Sequence, residues 1–289
     1  MLKNRRLLGL LTSPEDPDGK PLDLEGDTLC GARWPIPVVD GIPDFVTYAP
    51  VSERPVRFTV PYNDNPSPAV LMPPGSCNHP PPWFQEEKHK YELLKRHPKG
   101  FLLDAGCGLG NRETFERLGY DYIGIDIVFD SGQRTKGKAD LDVVADCHRL
   151  PLPSSSMEAL NSTALLEHVY HPIVAVQEFY RVLRPGGLVV GSCSFLEAEH
   201  FDSQYHLSWL GVYRLLTLAG FVVQNIYAGL SVWEMHAGSI FLGLPGHNLM
   251  GRLLRHVYLL LVNLKSKESA TMRLLRHAAV VNFVAVKNC

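Results

Sequence analysis

Residues Phe101-Leu102-Leu103-Asp104-Ala105-Gly106-Cys107-Gly108-Leu109-Gly110-Asn111 constrain this chain more than any other stretch. A short apolar run ends in an acid and passes into three glycines at alternate positions. That pattern predicts a strand entering a tight turn, with a helix following from Asn111 to Leu118. A backbone that turns sharply and lets a ligand approach it cannot carry a side chain at every position, and the first N–H groups of the helix are available to the ligand. The stretch is expected to form a nucleotide-type site.

The glycine spacing is not the G-x-G-x-x-G of dinucleotide folds, so an NAD-dependent oxidoreductase is the weakest functional class here. The form is Asp104-x-Gly106-x-Gly108-x-Gly110, and an acid two positions before the first glycine suits a ligand with a cationic group. This segment resembles the first motif of the class I S-adenosylmethionine-dependent methyltransferases. The resemblance implies a Rossmann-like, doubly wound α/β sheet whose last strand is antiparallel, and S-adenosyl-L-methionine as cofactor.

The following segments agree in order and spacing. Tyr122 to Asp126 reads as a buried strand ending in an acid, and Asp126 lies 22 positions after Asp104, close to the separation at which an acid meets a ribose. Leu141 to Asp146 reads as a third strand. Asp146-Cys147-His148-Arg149-Leu150-Pro151-Leu152-Pro153 resembles the family's adenine-recognition segment, where the acid accepts from the adenine amino group and the next N–H approaches the ring. Met157 to Ser162 is a fourth strand, and Thr163 to Val169 resembles the Leu-Glu-His-Val phrase of the type 11-like subgroup, which includes quinone and small-molecule enzymes. The resemblance therefore assigns Asp104, Gly106, Cys107, Gly108, Asp126, Ile127, Asp146, Cys147 and Ser162 to the cofactor site. His206 and His168 are the candidate bases, with His200 and Tyr205 as further options after the fifth strand.

The remaining elements alternate in the same way. His171 to Leu183 is amphipathic, Arg184-Pro185-Gly186-Gly187 is expected to stop it, and Leu188 to Gly191 follows as a strand. Ser208 to Ala219 reads as a helix closed by Gly220, Phe221 to Tyr227 as a sixth strand and Ala279 to Val286 as the last. Between the final two strands lies an insertion, 228–277. From Met250 to Cys289 there are seven Lys or Arg and one acid, Glu268, and Leu253 to Leu264 is an apolar helix candidate. A helix pair packed on the protein's own core is the preferred expectation, and membrane-surface contact through 250–277 the alternative.

Upstream, residues 1–48 are expected to form a small β-rich unit. Its closing phrase, Trp34-Pro35-Ile36-Pro37 through Asp40-Gly41-Ile42-Pro43, resembles the Trm112-like zinc ribbons. Ser13-Pro14-Glu15-Asp16 stands where their first Cys pair falls and Cys30 is the unit's one cysteine, so no metal is expected. Ten of the 22 prolines fall between Pro50 and Pro82, which marks 49–82 as a linker to a methyltransferase domain over 83–289. In that domain Trp83 to His97 has helical spacing.

Composition narrows the function. A formal charge of −2 is too near zero to argue for a DNA or RNA partner by bulk electrostatics, and six cysteines without a C-x-x-C pair suggest reduced thiols and a cytoplasmic location. The expected activity is methyl transfer to a small-molecule, hydrophobic acceptor. The competing class is a non-catalytic partner subunit with the same fold.

Overall fold

The computed structural model describes residues 2–46, 83–127, 140–198, 203–229 and 270–288, apart from 33 and 109, and single positions at 231, 232, 235, 253, 254 and 257. The linker 49–82, the basic loop 132–138, His200 and most of the 228–277 insertion, including all of the helix candidate 253–264 except positions 253, 254 and 257, lie outside the described residues. Among the described residues no helix is long and apolar enough to cross a membrane.

The N-terminal segment forms a four-stranded antiparallel meander: β1 (Asp23–Glu25), β2 (Thr28–Cys30), β3 (Ile36–Val39) and β4 (Ile42–Pro43). The larger sheet contains β5 (Phe101–Ala105), β6 (Asp121–Asp126), β7 (Val143–Val144), β8 (Met157–Thr163), β9 (Leu183–Ser194), β10 (Phe221–Ala228) and β11 (Val280–Lys287). Its order is β10-β11-β9-β8-β5-β6-β7, with β5 to β9 parallel and β11 antiparallel to both of its neighbours. Helices α1 (Trp83–Arg96), α2 (Arg112–Arg117), α3 (Pro172–Val182), α4 (Trp209–Leu218) and α5 (Ala270–Arg276) accompany the strands. The strand order reverses at β5, where one crossover leads to β6 and the next to β8, and ligands of doubly wound sheets bind beyond such a point.

The central strands are apolar because both of their faces are covered. In β5 and β6, Leu102, Leu103, Ala105, Tyr122, Ile123 and Ile125 are buried. Helix α3 places Val176, Phe179 and Val182 in the core, and its Glu178 accepts from Leu150 N–H at 2.9 Å while Arg181 donates to Leu150 O and Leu152 O at 3.0 and 2.7 Å. This fork pins the segment after β7 from the helix side.

Two elements differ from the sequence expectation. The third strand is two residues long instead of six, because Asp142 is turned away from a strand role onto Gly124 N–H at 2.9 Å and onto Arg112, whose Nη2 lies 2.7 Å from both carboxylate oxygens. Arg184 to Gly187 does not interrupt helix and strand; β9 begins at Leu183, and the glycines are absorbed as an irregularity, with Met157 opposite Leu183 and Ala159 opposite Leu188.

The N-terminal meander is joined to the large sheet. Phe45 N–H donates to Val144 O at 2.8 Å and Asp44 bridges Val144 in parallel, so the edge of β7 is occupied. Thr12 N–H donates to Pro151 O, Ser154 N–H to Asp18, and Arg149 reaches Pro14 O and Glu15. Leu2, Leu7, Leu11, Ile36 and Phe45 belong to the same continuous core as Leu103, Ile123 and Leu150. Removing the Phe45 ring empties volume in that shared core. Phe45→Ala is expected to lower the free energy of unfolding by about 3 to 5 kcal/mol, read from urea titration as one cooperative transition at a lower midpoint.

Candidate functional site

The glycine turn is held by the strands that it joins. Gly106 N–H and Cys107 N–H both donate to Ile125 O, at 2.8 and 3.0 Å, and Gly108 N–H donates to Asp126 Oδ2 at 2.8 Å. Gly106 and Gly108 have φ of +67° and +51°. A Cβ on Gly106 would come within 2.7 Å of Leu165 Cδ1. One on Gly108 would meet nothing within 4 Å, because it would project into an open cavity. Gly110 serves a different purpose. A side chain there would collide with Asp140, whose carboxylate accepts from Arg112 N–H at 3.1 Å and so occupies the start of α2. Sequence alone left that helix end open to a ligand. With Asp140 in place the first N–H of the helix is taken by a carboxylate, which disfavours a pyrophosphate there and argues against dinucleotide binding.

The cavity beyond the turn holds about 340 Å³. Gly106 and Gly108 form one wall, Asp126 ends β6 and Ile127 follows it, and Asp146, Cys147 and His148 follow β7. Leu165, His168, Val169 and Tyr170 close the opposite side. Asp146 is buried and surrounded by donors. Its Oδ1 accepts from His148 N–H at 2.9 Å and from His148 Nδ1 at 2.5 Å, and its Oδ2 from Tyr170 OH at 3.3 Å. Burial pushes the Asp146 carboxyl up, but the two His148 donors and the Tyr170 hydroxyl outweigh it and hold the group below the usual carboxylate range.

Asp146, Cys147 and His148 bring three possible ligand atoms within 4.8 Å of one another. They do not suit a metal ion. His148 Nε2 accepts from His171 N–H at 3.2 Å, so the imidazole has no lone pair to offer while its Nδ1 proton is given to Asp146. Burial also pushes the Cys147 thiol far up, which disfavours the thiolate that would ligate or attack.

Of the residues expected from sequence, Gly106, Gly108, Asp126, Ile127, Asp146, Cys147 and His168 meet at this cavity. Three of the nine expected cofactor residues do not line it. Asp104 is 2% exposed beneath the turn, where it accepts from Asn161 Nδ2 at 2.6 Å and Tyr122 OH at 2.9 Å; burial pushes its carboxyl up despite those bonds. Cys107 packs with Ile42, Leu141 and Val144, and Ser162 is buried within β8. His206 is exposed and off the cavity wall, while the Tyr205 hydroxyl donates to Tyr170 O at 3.0 Å, which ties its loop to that wall. His148 and Tyr170 were missed as site residues. Their signal is positional: two residues past Asp146, and next to the Leu-Glu-His-Val phrase.

Because the Asp146 pKa is lowered on folding, its contribution to stability is complete above the unfolded value of about 3.9 and is lost as pH falls through the lower folded value. Asp146→Asn should therefore be less stable than the parent protein at pH 7. Urea midpoints of the two proteins should converge as pH is lowered below about 4.

Comparison with known proteins agrees with this geometry. Residues 103–191 match the family described as a methyltransferase domain. The malonyl-[acyl-carrier protein] O-methyltransferase of Yersinia pestis is 32% identical over 112 residues, which covers 37% of this chain and 42% of the relative. A probable S-adenosylmethionine-dependent methyltransferase of Mycolicibacterium smegmatis is 27% identical over 189 residues, covering 55% of this chain and 68% of the relative. The chain thus spans less than half the length of the first of these. Among solved structures, Haemonchus contortus phosphoethanolamine N-methyltransferase 2 in complex with S-adenosyl-L-methionine is similar with a TM-score of 0.45 and 15% identity, over 71% of this chain and 53% of that one. The glycine turn, the two strand-end acids and the central strands of the doubly wound, Rossmann-like sheet all fall in or around the segment 103–191 that matches the methyltransferase-domain family.

Proposed function

We propose that the chain is an S-adenosylmethionine-dependent methyltransferase acting on a small-molecule acceptor of hydrophobic character. The observation that carries this reading is the pairing of Asp126 and Asp146 on one cavity whose glycine wall leads into a helix start occupied by the Asp140 carboxylate. Those residues fit the cofactor. Asp126 can accept from both ribose hydroxyls, Asp146 from the adenine amino group, and the open space over Gly108 is where a side chain would obstruct the ligand. Bound there, S-adenosylmethionine supplies a methyl group activated on its sulfonium. The chain's own work is to hold donor and acceptor in line and to keep water away, a task suited to Leu165 and Val169. Among the candidate bases on described residues, His168 is the one on the cavity wall, and it is the group placed to take a proton from a hydroxyl or amine acceptor.

The apolar Leu165, Val169 and half-exposed Ile127 support a hydrophobic acceptor. We further assign residues 1–48 to a Trm112-like packing module without zinc ligands, 49–82 to a linker and 83–289 to the catalytic domain. The joined core and the hydrogen bonds around β7 support a bracing role for the module.

Calorimetric titration with S-adenosylmethionine and S-adenosylhomocysteine tests the reading. The parent protein should bind both, and Asp126→Ala, which loses charged acceptors for two hydroxyls, should bind about 100-fold more weakly. If the parent protein bound neither ligand, the reading would fail in favour of a non-catalytic partner subunit.

A further inference from the structure

Asp146 accepts two hydrogen bonds on one oxygen from a single residue. His148 supplies both, through its backbone N–H and its ring Nδ1, and it is only 6% exposed. The direction of the ring bond is fixed by the other nitrogen. His171 N–H can only donate, so His148 Nε2 must accept, and a neutral imidazole that accepts at Nε2 carries its proton on Nδ1. The ring is further held by stacking on Tyr170, with centroids 4.0 Å apart and planes 30° from parallel. His171 is the N-cap of α3, so the ring links the end of β7 to the start of that helix.

The geometry points to His148 as the positioning residue that fixes which face of Asp146 the ligand meets, and through it makes the cavity selective for a 6-amino over a 6-oxo purine. This rests on the cofactor reading above and adds to it. With Oδ1 taken twice by His148, Oδ2 is the oxygen left for a ligand in the cavity that Asp146 lines, and among the described residues its hydrogen-bond partner is the Tyr170 hydroxyl at 3.3 Å. A carboxylate oxygen can accept a further bond there but cannot donate. An exocyclic amino group is matched, whereas a carbonyl at the same position sets two acceptors against each other.

The same geometry makes a sharper statement about Asp146→Asn. The two His148 donors require an oxygen at the Oδ1 position, so the amide must place its NH₂ where Oδ2 was. The Tyr170 hydroxyl can rotate to accept from it. The substitution should then reverse the preference and leave its strength tied to His148.

The test is calorimetric titration of the full chain with S-adenosylhomocysteine and with its inosine counterpart, S-inosylhomocysteine. The parent protein should prefer the adenosine ligand by at least about 100-fold. Asp146→Asn should prefer the inosine ligand, and His148→Phe, which keeps a ring against Tyr170 but removes the donor, should reduce the parent preference at least about tenfold. The double variant should show little preference in either direction. Loss of packing alone would weaken both ligands together and leave their ratio unchanged, so the ratio reports positioning. An unchanged ratio in His148→Phe, or an Asp146→Asn protein that still prefers adenosine, overturns the assignment while leaving the cofactor reading intact. Failure of the parent protein to bind either ligand removes both. Should His148→Phe fail to fold, the isosteric Asp146→Asn reversal decides the matter on its own.

Discussion

One carbonyl oxygen, that of Ile125, receives the N–H groups of both Gly106 and Cys107. The parallel pairing of β5 with β6 therefore does not stop at the end of the strands but continues into the turn. This sets the turn where Gly108 can donate to Asp126, and it leaves the Gly106 backbone against Leu165 with no room for a side chain. A turn held by two bonds to one acceptor has few alternative conformations. The cavity wall is consequently part of the sheet, not a loop that must be ordered by its ligand.

Several acids that support this wall are buried, and each is matched to a donor. Asp104 faces Tyr122 and Asn161, Asp142 faces Gly124 N–H and Arg112, and Glu178 faces Leu150 N–H and Arg181. Removing one partner leaves an uncompensated group, at a cost of about 1 to 3 kcal/mol for a neutral donor and about 3 to 5 kcal/mol for the arginine of a buried ion pair. These networks specify which loops meet, because only one docking of strand, helix and loop satisfies all of the oxygens. Asp140 does the same at the start of α2, where it accepts from Arg112 N–H.

The parts that were legible in the sequence are those fixed by covalent spacing. Strand alternation gave the sheet, and the separations between Asp104, Asp126 and Asp146 located strand ends whose neighbouring residues, Gly106, Gly108, Ile127 and Cys147, meet at the cavity. What could not be read depends on partners from other elements. Asp104 sits in the motif, yet Tyr122 on β6 and Asn161 on β8 draw it under the turn. The third strand looked long because Leu141 to Asp146 is apolar at alternate positions, but Arg112 on α2 claims Asp142. His148 has no signature of its own. Its role comes from His171 and Tyr170, more than twenty positions away along the chain, and from the tautomer that they impose.

The occupied edge of β7 has a consequence for how the chain is made. Phe45 and Val144 are about a hundred residues apart, and the hydrogen bond between them closes that whole interval. The N-terminal meander leaves the ribosome long before the strand that it caps exists, carrying Leu2, Leu7, Leu11 and Phe45 with no completed core to enter. Such distant pairing is slow to form because loop closure precedes any gain from contact. During that interval the apolar face of the meander is available to other proteins, including other copies of this chain. Once β7 is in place, the same contact removes a free strand end at which separate molecules could pair.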